Sequence, residues 1–141
     1  MLSLMREASG FDEEPGFLSE APTGSCSRDA CISVIRKRDR EWRLLATRSF
    51  QRIDWAPLVQ ACRDADIVVS ERWQPRGCAP RWLKLDRRAF QATGGISVYL
   101  GDGPKIQTVA DRLGSHPWAA RASGETIPPI ARPRVHFPKG R

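Results

Sequence analysis

Four cysteines, two histidines and the Ser70-Glu71 pair are the residues of this 141-residue chain singled out as types that could do chemistry. Cys26 and Cys31 are separated by four residues, and Cys62 and Cys78 by fifteen. Neither spacing gives the CxxC pair from which tetrahedral zinc sites are usually built. Four cysteines allow three disulfide pairings. In an oxidising compartment the local pairing is preferred, Cys26 with Cys31 and Cys62 with Cys78. In a reducing one, Cys31 and Cys62 are buried thiols and the other two are idle. His116 precedes a proline and His136 sits in a proline-rich terminus, so no HxHxDH or HExxH spacing arises. Ser70-Glu71 follows an apolar run, a place where enzymes often put functional groups. With no base at a readable spacing, a loop hydrogen-bonding role is the expectation. No catalytic residue, metal ligand, cofactor or small-molecule substrate is assigned.

The richest cluster is basic and aromatic: Arg72, Trp73, Arg76, Arg81, Trp82, Lys84, Arg87 and Arg88. Arginine and lysine can neutralise phosphates, and tryptophan can stack on an unpaired base. The same pattern also describes tryptophans that fill a core, with arginine stems lying across them. Gly94-Gly95 and Gly101-Asp102-Gly103 are not phosphate loops, because neither leads into GK[ST].

The formal charge is +7, which admits an anionic partner and equally a plain basic surface. The charge is unevenly spread. Residues 1–25 hold one arginine and five acids, whereas 119–141 hold five basic residues against Glu125. The middle of the chain is therefore basic in its own right. No apolar run approaches the roughly 20 residues that cross a bilayer, and residues 1–9 are too short and polar for a secretory signal. A soluble chain is expected.

Those candidate residues need elements to position them. Leu2, Leu4, Met5 and Ala8 suggest a short amphipathic helix stopped by Gly10. An acidic connector follows to residue 25. Residues 31–36 and 42–47 read as two strands of a hairpin, without the Asn-Gly or Asp-Gly that would pin its register. Asp54 can cap a helix running to about residue 63, with Pro57 in its first turn and Leu58, Ala61, Cys62 and Ala65 inward. Ile67-Val68-Val69 is a β-branched run suited to a strand covered on both faces. Residues 71–83 read as a long loop. Asp86 caps a second helix, ended by Gly94 or Gly95 in a left-handed conformation. Ile96, Val98 and Leu100 alternate as a strand, and 105–110 returns after a glycine-rich turn. Residues 111–118 cover an edge, and the proline-rich basic tail 119–141 reads as extended or disordered. The fold class is α/β (α+β), with two or three short helices.

The stretch ACRDADIVVSERWQPRGCAPRWLKLDRRAFQATGGISVYLGDGPKIQTVADRLGSHPW resembles the C-terminal part of ComEC-family DNA-uptake (competence) proteins, alphaproteobacterial type. DIVVS, RGCAPRWLKLDR and TGG are its specific part, while WRLLATRS and FDEEP upstream support it. The resemblance covers roughly residues 1–118. It implies that 26–118 is the second half of a metallo-β-lactamase-like domain, with a partial sheet of that kind. Family members are inner-membrane proteins that help carry single-stranded DNA into the cytoplasm, and this domain is proposed to face the periplasm. The implied partners are single-stranded DNA and a membrane-embedded remainder. DADIVVSERW lies where active members have an ADVLKVPHHGS-like segment, and TGGISVYL matches their late strand. The histidine pair is absent, with Ser70, Glu71 and Arg72 around its position, so no family metal ligand carries over. The resulting expectation is a non-catalytic fragment that contacts DNA through Arg72, Arg76, Arg81 and Lys84; the alternatives are a metal-dependent nuclease or hydrolase half-domain that needs ligands from a partner chain, and a structural interaction module. Half of a layered sandwich should also leave one sheet face uncovered.

Overall fold

The structure, a computed structural model, describes residues 16–49, 51–101 and 103–113. The expected helix at 1–9, both histidines and the tail 119–141 lie outside the described residues. After a 3-10 turn at Leu18–Glu20 come strands Ser25–Cys26 (β1), Ala30–Lys37 (β2) and Arg40–Thr47 (β3). Helix Trp55–Asp64 (α1) leads to Ile67–Val69 (β4), then to Leu83–Leu85 (β5) and helix Arg87–Thr93 (α2). Strands Ile96–Tyr99 (β6) and Lys105–Thr108 (β7) and the short helix Val109–Leu113 (α3) follow. Among the described residues the class is mixed α/β. One five-stranded sheet has the order β1-β2-β3-β4-β5, and β6 and β7 form a separate two-stranded sheet.

The sheet changes character halfway across. β1, β2 and β3 pair antiparallel, whereas β3, β4 and β5 run parallel. The β2–β3 ladder runs from Ala30↔Thr47 to Lys37↔Arg40, so Arg38 and Asp39 make a two-residue turn. Arg38 takes φ 54°, the backbone position a glycine would usually fill there. The long ladder sets the register that the turn residues alone left open.

Apolar residues fall on both faces of the parallel strands. On one side Leu45 and Val68 pack with Leu58, Cys62 and Ala65 of the α1 region and with Cys78. On the other, Trp42, Ile67, Leu83 and Leu85 pack under α2 and the β6–β7 sheet through Ala89, Phe90, Ile96, Val98 and Ile106. This two-sided burial explains why Ile67-Val68-Val69 has no polar alternation. Both faces of these strands are covered among the described residues, so no bare sheet face appears there. Trp82 belongs to this core, its ring 4.8 Å from that of Trp42.

Three local details differ from expectation. Asp54 precedes α1, but its side chain makes no capping bond; the first turn closes from Leu58 N–H to the Asp54 carbonyl instead. Strand β5 occupies the end of what reads as loop, because Leu83 and Leu85 bury inward while Lys84 points to the α1 side. Strand β7 stops at Thr108. There, Thr108 Oγ1 accepts from Asp111 N–H at 3.0 Å and Asp111 accepts from Thr108 N–H at 3.2 Å, a reciprocal cap that starts α3. Asp86 caps α2 through the N–H groups of Arg88 and Ala89, and Gly94 closes it with φ 72°.

Neighbouring parallel strands are normally joined by a helix. The β4–β5 connection, residues 70–82, has none. Its loop is tied to α1 by the Cys62–Cys78 bridge, both residues of which are fully buried. A bridge spanning 16 residues restricts the unfolded chain by about 3 kcal/mol. The Cys62→Ala/Cys78→Ala double variant should therefore lose about that much in urea unfolding. Asp86→Ala should lose about 1 kcal/mol through its cap. An unchanged midpoint for either variant contradicts the corresponding assignment.

Candidate functional site

Parallel strands deliver their following loops to one place, the carboxyl edge of the sheet, where α/β proteins characteristically bind ligands. Here β3 ends at Thr47, β4 at Val69 and β5 at Leu85. The described residues leaving them are 48–49 and 51–54, 70–74 and the Asp86 turn into α2.

Ser70 joins the three strands at this edge and is 1% exposed. Its N–H donates to the Leu85 carbonyl at 2.8 Å. Its hydroxyl lies 2.7 Å from Thr47 Oγ1 and 2.6 Å from Gln74 Nε2, and it accepts from Arg72 N–H at 3.2 Å. Those contacts occupy the lone pairs of the oxygen, and among the described residues no carboxylate bonds to it. Ser70 thereby ties β3 and the loop 71–74 together at this edge. Thr47, Arg48, Ser49, Val69, Ser70 and Glu71 line a hollow of about 220 Å³ beside it.

The loops are fastened to each other. Arg72 Nη1 donates to the Gln51 carbonyl, and the Arg72 carbonyl accepts from Arg87 N–H at 3.2 Å. Asp86 accepts from Gln74 N–H at 3.3 Å while it caps α2. Arg72 Nε and Gln74 Oε1 are buried without a hydrogen-bond partner among the described residues.

Two tryptophans stand out from this edge. Trp73 is 53% exposed, with the Arg88 guanidinium 4.8 Å from its ring centroid. Trp55, the first residue of α1, is 62% exposed. Gly77 lies close to its ring, since a Cβ there would come within 3.2 Å of Trp55 Cζ2. The segments that leave the three strands carry Arg48, Arg52, Arg72, Arg87 and Arg88 against Asp54, Glu71 and Asp86, with Asp29 bonded to Ser49, so basic residues outnumber acids there.

The four basic residues singled out from the sequence do not share one surface. Arg72 belongs to the carboxyl edge, and Arg76 is exposed on the loop next to Gly77. Arg81 lies at the opposite edge, 3.6 Å from Asp66. Lys84 reaches under the loop, where Nζ donates to the Pro75 carbonyl at 2.8 Å and the Gln74 carbonyl at 3.4 Å. Burial lowers the Lys84 pKa; the charge of Asp86 opposes this and that of Arg88 adds to it. Sequence reading missed Arg48, Arg52 and Trp55. Their signal is position: they fall between the end of a strand and the start of a helix, which becomes meaningful only once the strand is known to be parallel.

All four cysteines are bridged, Cys26 to Cys31 and Cys62 to Cys78. Among the described residues no group of three or more His, Cys, Asp or Glu side chains could hold a metal ion. No protein-family model matches the chain, and neither does any curated protein or solved structure.

The state of Lys84 has a measurable sign. The unfolded chain keeps this proton up to about the ordinary value of 10.5, whereas the folded chain releases it earlier. Between the two values the unfolded state binds more protons, so stability rises with pH. In urea unfolding, wild type should gain on Lys84→Met as pH climbs through that window. A constant difference, or wild type losing ground, contradicts the burial of this ammonium.

Proposed function

We propose that this chain is a non-catalytic C-terminal fragment of a ComEC-like protein of DNA uptake, and that it contacts single-stranded DNA at the carboxyl edge of its sheet. The observation that carries the binding reading is the exposed Trp73 ring with Arg88 over it, on a rim shared by Arg72 and Arg87. An exposed indole offers a stacking face to any unpaired base, and the arginines offer charge to the phosphates between bases. A helix lies outside a mixed sheet and a second, smaller sheet packs on its other face, which agrees with a layered α/β domain but not with the uncovered face expected of half a sandwich.

The family resemblance also implies metal ions, and the residues here do not fit them. At the position matching the ligand-bearing segment, Ser70 Oγ is already surrounded by hydrogen-bond partners, and Arg72 brings a positive charge beside it. We therefore derive no metal-dependent step. The membrane-embedded remainder of such a protein is the second proposed partner, with this domain on the periplasmic side. Among the described residues no helix is long and apolar enough to cross a membrane. The exposed Trp55 ring favours a second reading, in which the same edge docks a protein partner.

The test is anisotropy of a labelled oligothymidine titrated with the whole chain at several salt concentrations. Weak binding that falls steeply with salt is expected, because phosphate neutralisation releases counterions. Trp73→Ala should weaken it roughly tenfold, within the range for one base stack. Arg81→Ala, on the far edge, should change it little. Binding indifferent to salt, or equal loss from both variants, would falsify the DNA reading and favour the docking one.

A further inference from the structure

The two disulfides sit in different surroundings, and one of them leads to the candidate site. Cys62–Cys78 is sealed in the core, its residues 0% and 1% exposed. Cys26–Cys31 joins directly opposed residues of β1 and β2 at the margin of the sheet. Cys26 is only half-buried, and β1 is two residues long. This bridge spans 5 residues against 16 for the other, so it restricts the unfolded chain less. Exchange requires a thiolate to reach a sulfur, so access and a small stabilising effect both single out Cys26–Cys31.

The bridge closes the turn 27–30, and that turn carries Asp29. The Asp29 carbonyl accepts from Arg48 N–H at 2.9 Å, and its carboxylate accepts from Ser49 Oγ. Arg48 and Ser49 line the hollow beside Ser70. Two residues on, the Gln51 carbonyl receives Arg72. A continuous set of contacts thus runs from the bridge through Asp29 to the loop that holds the basic rim.

We infer that Cys26–Cys31 is a dithiol-reducible site that controls the ordering of Arg48, Ser49 and Gln51 and, through them, the binding edge. A dithiol thiolate attacks Cys26 Sγ, the Cys26–Cys31 bond breaks, and Cys31 leaves as a thiolate. The second thiol of the reductant then attacks the mixed disulfide and releases Cys26. The two protons of the reductant end on Cys26 and Cys31, which gain two electrons, and the reductant becomes a cyclic disulfide. Reduction frees β1 from its covalent tie while Cys62–Cys78 keeps the core closed. The turn retains its Ser27 hydrogen bonds, to Asp29 N–H at 3.3 Å and to Ala30 N–H at 3.1 Å, so its hold on Asp29 is weakened rather than abolished.

The effect on DNA rests on the function proposed above, whereas the ordering of Arg48, Ser49 and Gln51 does not. The test treats the whole chain with rising dithiothreitol under native conditions, maps thiols by alkylation and mass spectrometry, and follows amide hydrogen exchange. Alkylation should appear on Cys26 and Cys31 first. Exchange at the Arg48 amide should then accelerate severalfold, with the core amides of Val68 and Leu83 unchanged. Oligothymidine affinity should fall roughly two- to fivefold, the scale of one lost hydrogen bond. Cys26→Ser/Cys31→Ser should reproduce the reduced state, and Asp29→Ala, which removes the Ser49 bond but keeps the carbonyl that receives Arg48 N–H, should still show a faster Arg48 amide on reduction. Reduction of Cys62–Cys78 at the same or lower dithiol, or an Arg48 amide that ignores selective reduction, overturns the inference. An Arg48 amide that responds in a chain that binds no oligonucleotide in either state upholds the coupling and removes the DNA reading instead.

Discussion

Two of the three parallel strands, β4 and β5, are only three residues long, and the rest of the molecule depends on what holds their ends. At the amino edge Asp66 does this. Its carboxylate accepts from Arg43 N–H at 2.8 Å, and its carbonyl accepts from Trp82 and Leu83 N–H at 3.0 and 2.9 Å. One residue thereby joins β3, β4 and β5 before the ladder begins. Ser70 and Asp86 perform the matching task at the carboxyl edge. A buried carboxylate is costly unless its oxygens find donors, and here backbone N–H groups supply them. The pair ladder between is too short to fix the strands alone, so their alignment comes from these side chains and from apolar packing on both faces.

This arrangement explains what could be read along the chain. Ile67-Val68-Val69 announced a strand covered twice because three consecutive β-branched residues leave no polar face. Asp86 announced a helix start because its cap is local, needing only the next three residues. Asp54 looked the same in sequence and fails to cap, because nothing local compels its side chain toward the helix. Strand β5 was illegible. Leu83-Lys84-Leu85 is too short for periodicity to register, and it becomes a strand only because β4 lies alongside. Strand β1 shares that defect, being two residues paired to a longer neighbour.

The candidate site was legible as composition and illegible as geometry. Residues 72–88 are crowded with arginine and tryptophan, yet the chain crosses the whole height of the sheet within that stretch. It leaves the carboxyl edge at Arg72, passes α1 near Gly77 and returns to the amino edge at Arg81. Residues close in sequence therefore end on opposite rims. Trp82 and Trp73 show the same division, one packed on Trp42 and the other facing solvent under Arg88. Conversely, Arg48, Trp55 and Arg87 are scattered in sequence and gathered by parallel topology.

The Trp42–Trp82 contact has an optical consequence. The two indoles are held 4.8 Å apart and tilted by 52°, close enough for their electronic transitions to couple and oblique enough for the coupling to be chiral. One ring rides on β3 and the other immediately precedes β5, so the circular-dichroism couplet of the pair reports the seating of the last parallel strand. The molecule thus carries an intrinsic chromophore for one step of its own assembly, separate from the helical signal of α1 and α2.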